Sequence, residues 1–179
     1  MPDEQQQTLG DFGGGQISSA LMSDDRRYRF SLHRIWNGEK ELVAFIGLNP
    51  STADEKTDDP TIRRCMGFAR EWGFGGIVML NLYAWRATQP TDLEAVQWPV
   101  GNPVNDGTID REARRAALVV AAWGASLPRQ GGQERADEVR ARLEFDGLDL
   151  RVFGLTASGA PRHPLYLPGS CIPIPWSDA

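Results

Sequence analysis

Cysteine is almost missing from this chain: Cys65 and Cys171 are the only two in 179 residues. Two thiols cannot build a disulfide framework, so the composition predicts a reduced, cytoplasmic protein with both thiols packed. Long apolar runs are missing too. No stretch approaches the roughly 20 residues a membrane helix needs, and no membrane partner is expected. The opening MPDEQQQTLGDFGGG has neither the basic region nor the apolar segment of a secretory leader. Histidine is scarce, with His33 and His163 alone. The acidic run DEKTDD (54–59) lacks histidines at ligand spacing and the glycine of a calcium loop, so it reads as a solvated loop ending in a helix cap. No metal and no cofactor are predicted. There is no G-x-x-x-x-G-K-[ST] loop and no G-x-G-x-x-G after a strand, and Ser158 in TASGAP is not a nucleophile elbow. These gaps exclude a Walker-type ATPase, a dinucleotide-dependent dehydrogenase and an α/β-hydrolase. Positive charge is in deficit, with 19 Lys and Arg against 24 Asp and Glu, a formal charge of −5. That balance argues against strong sequence-blind binding to duplex nucleic acid, which needs a basic face.

What is present alternates between strand and helix signals. Residues 1–20 are rich in Gly and Gln and predict a flexible tail; residues 21–179 predict one α/β domain. YRFSLHRIW (28–36) has the two-residue period of a half-buried strand, with His33 turned outward. NGEK follows as a hairpin signal, and ELVAFIGLN returns as a strand buried on both faces. A helix is then predicted, capped by Asp59, with Pro60 in its first turn and Gly73 at its end. Ile62, Cys65, Met66, Ala69 and Trp72 form its inner face. GGIVMLNLYAW, ALVVAAWG and LDLRVFGL read as further strands, with helices over NDGTIDREARRAA and GGQERADEVRARLEFDG. TDLEAV reads as a short turn boxed by Thr91 and Glu94. The Pro-rich end, TASGAPRHPLYLPGSCIPIPW, is predicted to be irregular. Strands alternating with helices predict a mainly parallel sheet covered on both faces, preceded by an N-terminal β-hairpin. Ligands of such sheets bind at the carboxyl ends of the strands.

The candidate site residues come from those strand ends. Asn49 can orient a water or bond a base edge, although a carboxamide cannot ionise. Pro50 stiffens the exit and Ser51 offers an oxygen; the same residues could simply cap the turn. Asn81 lies within an apolar strand, where a buried amide needs partners. It either braces a loop or reads a ligand. Tyr83, Trp85 and Trp123 could stack on a planar ligand or pack in the core. His163, between Arg162 and Pro164 and followed by Leu165, is placed to donate to a developing oxyanion or to shuttle a proton.

GLNPSTAD, DDPTIRRC, GFAREWGFGG, NLYAWRAT, VVAAWG and GLTASGAPRHPLYLP, in this order, resemble the family called domain of unknown function 1643, over about Tyr28 to Trp176. More distantly, GLNPS, MLNLYAWRA, VVAAWGAS and RHPLYLP are similar to successive motifs of the uracil-DNA glycosylase superfamily. That resemblance implies a three-layer α/β/α sandwich around a short parallel sheet. It implies that Asn49 positions the attacking water and that Asn81 reads the base. His163 would stabilise the departing pyrimidine, and Leu165 or Leu167 would wedge into the duplex. The chain departs from the superfamily in having Leu165 where a serine usually follows His-Pro. It also has no phenylalanine platform after Asn49, and its loop there is acidic. The implied partner is a nucleobase, nucleotide or DNA. The alternatives are an enzyme acting on a free nucleotide, a nucleic-acid-modifying transferase, or a non-catalytic nucleotide-binding module.

Overall fold

The computed structural model describes residues 5–12 and 15–179. In chain order the strands are β1 (Gln5–Phe12), β2 (Gln16–Ser23), β3 (Arg29–Ile35), β4 (Leu42–Gly47), β5 (Gly76–Asn81), β6 (Leu118–Ala121), β7 (Leu150–Val152) and β8 (Ile174–Pro175). The helices are α1 (Pro60–Glu71), α2 (Val104–Arg115) and α3 (Gly132–Phe145). The strands form one sheet in the order β1-β2-β3-β5-β4-β6-β7-β8.

The mainly parallel sheet expected from the sequence is corrected to a mixed one. Among the described residues only β5-β4-β6-β7 are parallel neighbours, and every other pair is antiparallel. The antiparallel part was hidden in the segment read as a tail. Over residues 16–20 that segment is the start of β2, enclosed between β1 and β3. Ser18 and Ala20 are fully buried there, yet small and polar side chains leave no apolar period to detect. Residues 1–4 and 13–14 of the predicted tail lie outside the described residues.

An N-terminal hairpin exists, but it is β1 with β2 and not the pair flanking NGEK. β5 runs between β3 and β4 instead. Two glycines allow this. A Cβ at Gly75 would lie 2.1 Å from the Asn37 carbonyl oxygen, and one at Gly76 2.6 Å from that of Arg34. Trp36 and Asn37 both donate to the Gly75 carbonyl, and Gly75 donates to Glu41. The Asn-Gly step thus closes around an incoming strand rather than a two-residue turn.

Helix α1 forms as its sequence predicts. Asp59 accepts from the Ile62 amide at 2.9 Å, Pro60 opens the first turn, and Gly73 takes φ +84° after the last. Its inner face, with Phe68 added to the predicted set, packs on Val43, Phe45, Ile77, Met79 and Val120. Each large apolar side chain buried in this way contributes about 1.5–3 kcal/mol. The opposite sheet face, carrying Ala44, Ile46, Val78, Leu80 and Val119, meets α2 through Ile109 and Ala113 and α3 through Ala136, Val139 and Leu143. Helices therefore cover both faces, which explains the unbroken burial of β4 and β5. The turn at 90–95 is a 3-10 helix boxed by Gln89 and Asp92, two residues before the Thr91–Glu94 box expected. No helix of the described residues is long and apolar enough to cross a membrane.

Candidate functional site

Parallel register brings the carboxyl ends of β4 and β5 level, with Gly47 opposite Asn81. A cleft of about 480 Å³ opens at this edge. Of the residues singled out in the sequence, Asn49, Ser51, Asn81, Trp123, Arg162 and His163 line it. Pro50 is not in the lining; its carbonyl accepts from Ala87 N at 2.9 Å and from Asn49 Nδ2 at 3.0 Å. Tyr83 is not in the lining; it is buried in the cluster shared with α2 and α3, and burial raises its phenol pKa. Trp85 also lies outside the lining and packs edge-on against Tyr28. Leu165 is partly exposed beside the cleft in a 3-10 turn, Pro164–Tyr166, whereas Leu167 is buried against the α1 side of the core. Of the two leucines, only Leu165 is exposed.

The amides are held in defined orientations. Asn49 Nδ2 donates to the carbonyls of Pro50 and Ala87, at 3.0 and 2.8 Å, stitching the loop after β4 to the loop after β5. Its Oδ1 is left as the open atom. Asn81 is 2 % exposed, and its Oδ1 accepts from Arg29 Nη2 at 3.1 Å. A guanidinium only donates, so the amide oxygen must face it and Nδ2 faces away. Gly47 makes room for that nitrogen: a Cβ there would lie 2.9 Å from Asn81 Nδ2. Asn105 on α2 donates to the carbonyls of Asn81 and Leu82, and Arg135 on α3 donates to Leu82. The exit of β5 is thus pinned from both remaining helices.

His163 is set by the loop after β7. Its Nδ1 accepts from the Leu165 amide at 3.3 Å, which leaves the proton on Nε2. Burial lowers its pKa, opposed by the negative field of Asp59, so the ring is neutral at pH 7. Gly124, at φ +76°, follows Trp123 and lets the imidazole approach the backbone.

The acidic loop is not the solvated one expected. Glu55 is buried and pairs with Arg26 at 2.8 Å; Asp58 pairs with buried Arg34 at 2.8 Å; Asp54 accepts from the amides of Lys56 and Thr57. Its charges are neutralised by arginines of the β2–β3 turn and of β3, distant in sequence. Among the described residues, no group of three or more His, Cys, Asp or Glu is placed to hold a metal.

Two charged cleft residues were missed by sequence reasoning. Arg29 falls on the same side of the two-residue period as His33, the side read as outward, but β3 is an interior strand between β2 and β5 and Arg29 is buried. Asp59 was read as a helix cap alone; it caps α1 and also lines the cleft.

Fold and cleft together define a mixed α/β protein with a cleft at the carboxyl edge of its parallel strands. The chain belongs to the family described as protein of unknown function (DUF1643), whose sequence profile matches residues 29–165. No curated protein and no solved structure matches it.

Proposed function

We propose that the cleft binds a nucleobase, in the manner of a uracil-DNA glycosylase, and that the protein excises or modifies a pyrimidine in DNA. The observation that carries this reading is the convergence of Asn49, Asn81 and His163, from three separate strand ends, on one cleft. Their free atoms are complementary to a 2,4-dioxopyrimidine and a water: Asn81 Nδ2 and His163 Nε2 would donate to its exocyclic carbonyl oxygens, and Asn49 Oδ1 would accept from the water. A neutral imidazole with its proton on Nε2 can hold charge developing on a departing base without first losing a proton. Trp123 and Tyr166 supply aromatic walls, and exposed Leu165 fits a wedge that keeps a flipped nucleotide out of the duplex. The three-layer glycosylase-like sandwich belongs to this proposal, supported by helices on both faces of the parallel strands.

Base release from single- and double-stranded oligonucleotides carrying uracil or hydroxymethyluracil tests the reading. His163→Ala is expected to lose most of the release while keeping the fold. No release by the wild-type protein from any such strand would refute excision. A second reading, action on a free nucleotide, is favoured by the formal charge of −5. Thermal stabilisation by nucleotides without binding to the oligonucleotides would select it.

A further inference from the structure

Arg29 and Arg34 lie on the same strand and are equally buried, at 2 % and 1 % exposure. Arg34 has a counter-ion, with its Nε donating to Asp58 at 2.8 Å. Arg29 has none within ion-pair distance among the described residues. Its Nη1 donates to the Ala53 carbonyl at 3.0 Å, its Nη2 to Asn81 Oδ1 at 3.1 Å, and its buried Nε has no partner. Two neutral acceptors do not balance a cation removed from water. Burial lowers the Arg29 pKa to about 10, opposed by the field of Asp59, and the group remains charged at neutral pH.

This unbalanced charge lines the cleft beside Asn81. Asn81 turns its oxygen to Arg29, so its Nδ2 adds a second donor. The other charges around Arg29 act in both directions and none is paired with it: Asp59 at the start of α1 and Asp54 in the loop after β4 oppose its charge, while Arg34 and Arg86 add to it. Farther along the cleft, Arg162 adds another cation. A cationic floor with an adjacent N–H donor is the chemistry that recognises a planar oxyanion.

We propose that the floor of the cleft is an anion subsite, in which Arg29 and Asn81 Nδ2 receive a negatively charged oxygen group carried by the ligand. This rests on the nucleobase reading and narrows it: the preferred ligand is an acidic pyrimidine, bearing a carboxylate or a phosphate, rather than a neutral base. The ligand thereby supplies the counter-ion that Arg29 lacks.

Binding to the full chain is measured by calorimetry for uracil, 5-carboxyuracil, uridine, uridine 5′-monophosphate and inorganic phosphate. The expected result is at least tenfold tighter binding of 5-carboxyuracil than of uracil. That preference should disappear in Arg29→Gln and in Asn81→Asp. The aspartate would give Arg29 an internal counter-ion, so Asn81→Asp should also raise the melting temperature. This variant decides the matter should Arg29→Gln not fold. A preference confined to the monophosphate over uridine, and lost in the same variants, identifies the oxyanion as phosphate. Equal affinity for neutral and acidic pyrimidines, or a preference that survives both substitutions, overturns the anion subsite and leaves the nucleobase reading intact. Binding of inorganic phosphate with no affinity for any pyrimidine overturns the nucleobase reading, and absence of all binding overturns both.

Discussion

Gly124 and His163 meet across the cleft, so that a Cβ added to the glycine would stand 3.3 Å from His163 Cβ. Gly124 also has φ +76°, where an L side chain is strained by roughly 1–2 kcal/mol. Gly124→Ala should therefore lose stability and shift the imidazole. Gly147 provides the control: its φ is +79° and nothing lies within 4 Å of its Cβ position. Urea denaturation of both alanine variants separates strain from contact. The His163 ring resonances should move in Gly124→Ala alone; unchanged resonances in both would show that the contact does not position the ring.

Asp59 has two tasks that substitutions can divide. It caps α1 through the Ile62 amide, and it raises the pKa of His163 through space. Asp59→Ala should cost about 1 kcal/mol by loss of the cap. Asp59→Ser keeps a capping oxygen but removes the charge, so stability should be largely retained while the His163 pKa falls further. An NMR titration of the imidazole checks this, and a pKa unaffected by Asp59→Ser would rule out the through-space role.

Much of this was legible in the sequence where one local signal decides one element. The Asp59–Pro60 start and Gly73 end of α1 are such signals, as is the apolar run of β4. The strand-end rule located Asn49, Asn81 and His163 because parallel strands deliver their carboxyl ends to one edge. What could not be read depends on which strands become neighbours. β3 looked half-exposed by its alternation, and only its place between β2 and β5 buries Arg29. The insertion of β5 between β3 and β4 overrode the Asn37-Gly38 turn signal through close contacts at Gly75 and Gly76. The acidic loop looked solvated because Arg26 and Arg34 lie about two dozen residues or more away in the chain.

Asn105 is fully buried on α2, and its Nδ2 bridges the carbonyls of Asn81 and Leu82 at 3.1 and 3.2 Å. Asn105→Ala would leave both oxygens with one fewer donor in a dry setting, at about 1–3 kcal/mol. It touches no cleft surface, so any effect on ligand affinity would travel through the exit of β5. Denaturation and uracil binding should both weaken in this variant. A loss of stability with unchanged affinity would restrict Asn105 to the fold.

His163 should give the protein a pH dependence of defined sign. Its folded pKa lies below the ordinary value of 6.5 because burial disfavours the charged ring. The unfolded chain therefore binds the proton more readily than the folded one. The resulting stability is fully present above the unfolded pKa and is lost as pH falls through the folded value. Glu112 acts in a separate, more acidic window. His33 and Arg111 hold its carboxyl at about 2, so its contribution fades between its ordinary 4.5 and that value. Denaturation midpoints followed from pH 7.5 downward should decline first through the imidazole window and again through the carboxylate window. His163→Gln can still accept from the Leu165 amide and does not titrate, so it should flatten the first decline and keep the second. If the first decline survives in His163→Gln, the imidazole is not held neutral by the fold, and its role as a neutral donor falls with it.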